Sequence, residues 1–124
     1  MNNILITHRE ETIATVILNR PEKLNALNKE LWDCVGQVMT DLSADLSLRC
    51  IVLCGAGGKA FSAGADISEF ETERSNREEA RIYGELIHKA MRAIRDCRHP
   101  VIAMIQGVCV GGGLELACMC DLRI

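Results

Sequence analysis

The sequence predicts an α/β protein that begins in the order strand, strand, helix, strand. Two segments rich in β-branched residues, 4–9 and 13–18, precede an amphipathic stretch, and a buried strand at 49–54 follows it. Two junctions rich in glycine and alanine, 55–66 and 107–113, each follow an apolar strand and lead into a helix. Strands alternating with helices in this way are typical of the layered α/β class.

The first three elements are predicted from short-range signals. Only residues 10–12 separate the first two strands, which predicts a hairpin. Pro21 ends the second strand, because it cannot donate to a β-ladder. Asn28 is a suitable N-cap for a helix that runs to about Ser43. The apolar residues of this helix recur along one face: Leu31, Val35, Val38, Met39 and Leu42.

The second long helix is predicted from a capping signal and an apolar face. Residues 67–70 are expected to form a short helical turn. Ser75 and Glu78 match a capping box, with Ser75 as the N-cap and Glu78 at the third helical position. The helix is expected to end near Cys97, before Pro100. Its apolar face consists of Tyr83, Ile87, Ala90, Met91 and Ile94.

The last part of the chain predicts a strand, a glycine-rich loop and another helix. The apolar strand after Pro100 leads to Gly107 and then to three consecutive glycines at 111–113. Residues 114–117 are predicted as the first turn of a helix. A final strand begins at residues 121–124, and because the chain stops inside it, we expect the fold to continue in a longer protein.

The composition indicates a globular protein that binds neither nucleic acid nor a membrane. Hydrophobic residues make up 48% and charged residues 25% of the 124 residues, enough for one domain, 1–124, with a core. The net charge of −3 and only four aromatic residues argue against a basic or base-stacking surface. No apolar run approaches the roughly 18 residues of a membrane span. The first residues lack the features of a signal peptide, so the expected location is the cytoplasm.

The cysteines and histidines predict no metal site. The seven cysteines are odd in number, form no Cys-x-x-Cys motif and lie mostly among apolar neighbours, as Cys54 and Cys118 do. We therefore expect them to act as small buried hydrophobic residues. The three histidines, His8, His88 and His99, have no partner at ligand spacing.

One glycine pattern resembles a dinucleotide fingerprint but lacks its context. Gly55, Gly57 and Ala60 follow a buried strand with the required spacing. That fingerprint must open a helix, however, and the residues after Ala60 have no helical face and include Gly64. Nucleotide binding at this motif is therefore not predicted.

The two glycine-rich junctions predict a catalytic site if they lie side by side. Each could then point one backbone N–H group into a common space, which is the geometry of an oxyanion hole. Glycine leaves the backbone uncovered, and the start of a helix presents unpaired donors. Glu115 lies about one helical turn from the donors at 111–113 and adds a carboxylate.

Segments 19–27, 60–67 and 107–117 together closely resemble the crotonase family of enoyl-CoA hydratases and isomerases. The resemblance extends over essentially the whole chain, as the N-terminal portion of such a domain. It implies a spiral of repeated ββα units, here truncated, and an acyl-CoA thioester as the substrate. It also implies that no metal or other cofactor takes part, and that the complete protein forms a homotrimer or a hexamer.

The resemblance implies roles for individual residues. The oxyanion donors would be the backbone N–H groups of Ala65 and Gly112, and Glu115 would be one of two glutamates that activate water. Lys23 would be suited to a phosphate of CoA. The full set of positions expected to contact CoA or substrate is Lys23, Leu24, Ala26, Ala63, Ala65, Asp66, Ile67, Gly111 and Gly112.

The same resemblance implies a reaction and its alternatives. Retention of Glu115 favours hydration of the 2,3-double bond of a trans-2-enoyl-CoA, as in the degradation of fatty or related acyl groups. The second glutamate belongs to a later motif of the family, beyond Ile124. Isomerases, dehydratases and hydrolases share both loops, so these reactions stay open. The isolated chain could also be a CoA-binding fragment without activity.

Overall fold

The computed structural model describes residues 3–124 and confirms the α/β class. Three ββα units follow one another along the chain, and a further strand comes after them. The first unit comprises β1 (Leu5–Glu10), β2 (Ile13–Leu18) and α1 (Lys29–Ala44). The second comprises β3 (Cys50–Gly55), β4 (Ala60–Ser62), the short α2 (Phe70–Glu73) and α3 (Arg77–Arg95). The third comprises β5 (Val101–Ala103), β6 (Val108–Cys109) and α4 (Gly112–Met119), before β7 (Leu122–Arg123).

A five-stranded sheet with the order β1-β2-β3-β5-β7 forms the centre of the fold. The strands β2, β3, β5 and β7 are parallel, and β1 joins β2 in the predicted antiparallel hairpin. Val16, Leu53 and Ala103 lie side by side on three neighbouring strands and are fully buried. The helices α1 and α3 pack against each other, so the core lies between them and this sheet.

Helix α1 begins and packs as its sequence predicts. The side chain of Asn28 accepts a hydrogen bond of 2.8 Å from the backbone N–H of Leu31, which satisfies one unpaired donor of the first turn. The predicted apolar face is buried at Leu31, Val35 and Met39. Trp32 widens that face and is also buried.

The predicted cap of α3 is wrong by one residue. The N-cap is Asn76, whose side chain accepts from the backbone N–H of Glu79 at 2.8 Å, and not Ser75. Glu79 occupies the third helical position and accepts from the backbone N–H and the hydroxyl of Ser75. Both candidates are common caps, and the amide of Asn76 takes the role because Glu79 then binds the residue before the cap.

The strands β4 and β6 form a second, two-stranded parallel sheet that no sequence pattern predicted. They contain three and two residues, too few for a periodic signal. Gly107 allows them to meet, since it has a φ of +70° and a Cβ there would overlap the carbonyl oxygen of Lys59. This small sheet joins the two glycine-rich junctions.

Within residues 3–124, no helix has both the length and the apolar character that crossing a membrane requires.

Candidate active site

The loop before α1 and the loop after β4 are joined by backbone hydrogen bonds. The N–H of Ala63 donates to the carbonyl oxygen of Leu24 at 2.9 Å. Leu27 donates to Gly64 at 2.7 Å, and Asp66 donates back to Leu27 at 3.0 Å. The predicted CoA-contacting segments 23–26 and 63–67 therefore lie next to each other as one continuous surface.

The loop before α4 approaches the loop after β4, and glycines in both loops allow the close contact. Gly64 has a φ of +100°, and a Cβ on it would lie 3.2 Å from the carbonyl oxygen of Val110 and 3.6 Å from the nitrogen of Gly112. The N–H of Val110 donates to the carbonyl oxygen of Ser62 at 3.2 Å. The structure thus places the two glycine-rich junctions side by side, which is the condition the sequence argument required.

Two backbone N–H groups at this meeting point have no acceptor within residues 3–124. Ala65 pairs with Leu27 in an isolated parallel bridge. The two hydrogen bonds of this bridge run from the N–H of Leu27 to Gly64 and from the N–H of Asp66 to Leu27, so the N–H of Ala65 makes neither of them. Gly112 is the first residue of α4, and its N–H likewise makes no bond within the described chain. The start of a helix favours negative charge in front of it. Two backbone donors are therefore left without an acceptor where the two glycine-rich junctions meet.

At each of the three consecutive glycines, a different feature of the structure disfavours a side chain. Gly111, the N-cap of α4, has a φ of +54°, which a residue with a side chain rarely adopts. A Cβ on Gly112 would lie 3.1 Å from Cζ2 of Trp32. A Cβ on Gly113 would lie only 2.5 Å from the carbonyl oxygen of Ser62. Close packing against α1 and β4 thus fixes the first turn of α4.

Asn25, which the sequence argument missed, holds the loop before α1. Its side chain is fully buried, and its backbone has a φ of +56°. The side-chain oxygen accepts from the N–H of Arg20 at 2.8 Å, and the amide nitrogen donates to the carbonyl oxygens of Ala56 and Ala60 at 3.0 and 2.9 Å. The sequence signal for this role was the polar Asn25 in a segment with Leu24 and Leu27. A buried amide needs hydrogen-bond partners of the kind found here.

Asp66 is held by its own neighbours. Its carboxylate accepts from the backbone N–H and the hydroxyl of Ser68 at 3.0 and 2.6 Å, and from the guanidinium of Arg20 at 3.0 Å. These hydrogen bonds, those from Ser68 first, hold the pKa of Asp66 below its usual value. Arg20 also donates to the carbonyl oxygen of Ala26 at 2.6 Å. Through Arg20, the Asp66 carboxylate therefore ties segment 63–67 to segment 23–26.

Other predicted binding residues are open to solvent. Lys23 is exposed, and its ammonium group has no partner within residues 3–124. The apolar side chains of Leu24 and Ile67 are 39% and 74% exposed at the edges of the joined loops. Exposed apolar side chains beside a free cation suit a ligand with both apolar and anionic parts.

Glu115 lies in the first turn of α4, on the side that faces α3. Its backbone N–H donates to the carbonyl oxygen of Gly111 at 3.0 Å, and its side chain is exposed. The carboxylate lines a cavity of about 320 Å³ between α3 and α4. Ala65 and Gly112 do not line this cavity, and Glu115 lies three residues after Gly112 on the same helix. The contribution of α3 was not predicted from the sequence.

The structure also bears on the metal, nucleotide and cysteine predictions. Among residues 3–124, no group of three His, Cys, Asp or Glu side chains is placed to hold a metal ion. The strand β4, and not a helix, follows Gly57, so the dinucleotide fingerprint lacks its helix. Cys120 is buried, and this burial raises the pKa of its thiol to about 12. Cys118 is exposed, so the prediction of a buried role is wrong for it, because it lies on the outer side of α4.

Comparison with known proteins identifies relatives over nearly the whole chain. A profile described as enoyl-CoA hydratase/isomerase matches residues 8–124. The short-chain-enoyl-CoA hydratase of Clostridium acetobutylicum is 40% identical over 124 residues, which are 100% of this chain and 46% of that protein. The mitochondrial Δ(3,5)-Δ(2,4)-dienoyl-CoA isomerase of Mus musculus is 36% identical over 130 residues, 98% of this chain and 39% of the isomerase. The chain thus spans less than half the length of these two relatives.

Solved structures share the fold. The crystal structure of an enoyl-CoA hydratase/carnithine racemase from Magnetospirillum magneticum superposes with a TM-score of 0.94 at 50% identity, covering 99% of this chain and 46% of that one. The enoyl-CoA hydratase from Bacillus anthracis gives a TM-score of 0.90 at 32% identity, with 98% and 46% covered. The ββα units described above are therefore a shared architecture.

Proposed function

Because this chain belongs to the enoyl-CoA hydratase/isomerase family, we propose that the protein containing it adds water across the 2,3-double bond of a trans-2-enoyl-CoA. The observation that carries this proposal is the pair of unbonded N–H groups, Ala65 and Gly112, on loops that the fold brings side by side. The name of the hydratase relative supports hydration as the reaction.

The two donors would stabilise the charge that the reaction develops. When water adds to C3 of the enoyl thioester, negative charge moves to the thioester oxygen. Hydrogen bonds from Ala65 and Gly112 would hold that oxygen, and the start of α4 adds its dipole. Each such donor contributes about 3–4 kcal/mol to the stability of the transition state in enzymes of this type.

Glu115 would position and deprotonate the attacking water. It lies three residues after Gly112 on the same helix, so a thioester held by the donors would place its double bond close to the carboxylate. The family resemblance implies a second carboxylate from a later motif, outside the 124 residues. No metal ion or cofactor is needed in this scheme, because the donors polarise the thioester and the carboxylates transfer the protons.

The joined loops would bind CoA. The exposed ammonium of Lys23 would contact a phosphate of CoA. The exposed side chains of Leu24 and Ile67 would pack against the apolar parts of CoA. Asp66 would contribute by holding the loops in place, because Ser68 and Arg20 occupy its carboxylate and Leu27 accepts from its backbone N–H. Ala26 and Ala63 leave the backbone accessible, as a close ligand contact requires.

Isomerisation of an acyl-CoA double bond is the second candidate. Dienoyl-CoA isomerases of mouse and human are 36% and 33% identical to this chain over nearly its full length. Both reactions place charge on the thioester oxygen, so the two donors serve either one. The products distinguish them, since hydration adds the mass of one water and isomerisation adds none.

The direct test is turnover of crotonyl-CoA by the protein at its natural length. We expect the ultraviolet absorbance of the enoyl thioester to fall and the product to gain the mass of one water, with no loss of rate in a metal chelator. A product of unchanged mass would favour the isomerase. Absence of any change in crotonyl-CoA or in dienoyl-CoA substrates would refute the enzymatic proposal.

A variant of one donor tests the oxyanion hole itself. Ala65→Pro removes an N–H that makes no bond within the described chain, so we expect kcat to fall by about 10²–10³. Ala65→Gly is the matched control, since it keeps the N–H. Unfolding curves of both variants check that the fold is retained. For the 124-residue chain alone, CoA binding without turnover would mean that it is the CoA-binding part of the enzyme.

A further inference from the structure

The cavity beside Glu115 carries more basic than acidic side chains. Three basic residues of α3, His88, Arg92 and Arg95, line it together with the single carboxylate of Glu115. They lie at positions i, i+4 and i+7 and therefore share one side of the helix. The full lining is Ile87, His88, Met91, Arg92, Arg95, Glu115 and Met119.

Two of these three basic side chains have no hydrogen-bonded partner within the described part of the chain. Arg95 donates to both carboxylate oxygens of Asp96 at 2.8 and 3.0 Å. The side chains of Arg92 and His88 make no hydrogen bond and no ion pair within residues 3–124, although the charge of Arg92 adds to the hydrogen bonds from Arg95 in lowering the pKa of Asp96. Elsewhere on the same helix, Arg81 is paired with two glutamates. Arg77 and Lys89 of α3 also make no side-chain hydrogen bond or ion pair within residues 3–124, so the feature particular to the cavity is that His88 and Arg92 line it together with Glu115.

The rest of the cavity lining is apolar. Ile87 and Met91 of α3 and Met119 of α4 form its walls, and Met91 is almost fully buried. The cavity volume of about 320 Å³ is at the small end of the range for ligand pockets. A cavity lined by apolar side chains and by a guanidinium group without a hydrogen-bonded partner fits a short hydrocarbon chain with an anionic end.

We propose that the preferred substrate is an enoyl-CoA whose acyl group carries a carboxylate at its far end, bound by Arg92 and His88. This inference rests on the proposed function, because it assumes that the thioester oxygen is held by Ala65 and Gly112. From those donors the acyl chain passes Glu115 and enters the cavity. The guanidinium of Arg92 binds a carboxylate by two hydrogen bonds, which an unsubstituted chain does not offer.

The test compares two substrates that differ only at the acyl terminus. Glutaconyl-CoA has a carboxylate on the carbon that corresponds to the methyl end of crotonyl-CoA. With the natural-length protein, we expect kcat/KM to be about twofold to fivefold higher for glutaconyl-CoA, the range for a charged pair in a partly open site. The preference should decrease as the ionic strength rises from about 0.05 M to about 0.5 M, because salt screens exposed charges.

Two variants assign the preference to the cavity. Arg92→Gln should bring the ratio of the two kcat/KM values close to one. Arg77→Gln is the control, because Arg77 lies on the same helix about 22 Å from Arg92 along its axis, and it should leave the ratio unchanged. If Arg92→Gln does not fold, the salt dependence of the wild-type preference decides the question.

The outcomes separate this inference from the proposed function. Hydration of crotonyl-CoA with no preference for the carboxylate would overturn the inference and leave the function intact. Equal losses for both substrates in Arg92→Gln would assign the arginine to a phosphate of CoA and would also overturn it. Failure to hydrate either substrate would refute the proposed function and this inference with it.

Discussion

The indole of Trp32 lies directly behind Gly112, with Cζ2 only 3.1 Å from the position that a Cβ on Gly112 would occupy. Trp32 is 2% exposed, and its Nε1 has no hydrogen-bond partner within the described residues. Leu27, which joins the loop before α1 to the loop after β4, also packs against this position, with Cδ1 at 3.4 Å. A core residue of α1 therefore sets the position of a proposed oxyanion donor.

Gly112→Ala should therefore reduce stability and kcat together. The added methyl group forces Trp32 or the first turn of α4 to move, which costs about 1–3 kcal/mol in a packed core. Phenylalanine lacks Cζ2, so Trp32→Phe removes the atom that the new methyl group meets. The stability lost in the double variant should therefore be smaller than the sum of the two single losses, by about 0.5 kcal/mol or more. Urea unfolding measures this cycle, and strict additivity would show that the contact is unimportant.

Gly113→Ala should be more harmful than Gly84→Ala, although both glycines lie in helices. A Cβ on Gly113 would meet the backbone oxygen of Ser62 at 2.5 Å, which cannot be relieved by rotating a side chain. We expect a loss of about 3 kcal/mol or more. A Cβ on Gly84 meets nothing within 4 Å, so Gly84→Ala should stabilise α3 by about 0.5–1 kcal/mol. Equal midpoints in urea would contradict the close packing.

Asn25→Asp should destabilise the protein more than Asn25→Gly. The carboxylate would face the carbonyl oxygens of Ala56 and Ala60 in a fully buried position, at a cost of about 3–5 kcal/mol. Glycine keeps the positive φ and loses only the side-chain hydrogen bonds. The penalty of Asn25→Asp should shrink at acid pH, because burial raises the pKa of an unpaired carboxyl and the neutral form can donate. A penalty that is constant with pH would show that the aspartate escapes to solvent.

Asp66→Asn should lower stability at neutral pH and have little effect in acid. The pKa of Asp66 is lower in the folded protein than the value of about 3.9 in the unfolded chain, because its ionised form accepts from Ser68 and Arg20. Its contribution is therefore present above about pH 4 and is lost as the pH falls through the folded pKa. Unfolding in urea at about pH 7 and about pH 3 measures the difference.

Asp33→Asn is the control for this pH dependence. Asp33 is exposed on α1 and makes no hydrogen bond within residues 3–124. Its substitution should change stability little at either pH. A similar pH dependence for both variants would mean that net charge, and not the contacts of Asp66, controls the acid response.

Local signals in the sequence predicted the larger elements. Asn28 caps α1, and the apolar faces of α1 and α3 are buried, because periodicity and capping act over a few residues. The same local logic chose Ser75 as the cap of α3 and was wrong by one residue, since both Ser75 and Asn76 can cap a helix and Glu79 bonds to Ser75 once Asn76 is the cap. The strands β4 and β6 were missed because each is stable only through the other.

The sequence by itself determined which residue types stand at the candidate site: glycines and alanines that expose backbone N–H groups, and Glu115 one turn along a helix. Only the tertiary structure decided that these groups meet. Segments more than 40 residues apart, around Ala65 and Gly112, come together through the pairing of β4 with β6 and through the packing of Trp32. Non-local pairing of this kind leaves no periodic trace in either segment. The fold likewise decided the surroundings of two other residues. It placed the carbonyl oxygens of Ala56 and Ala60 beside the amide of Asn25, and Glu115 in the same cavity as Arg92.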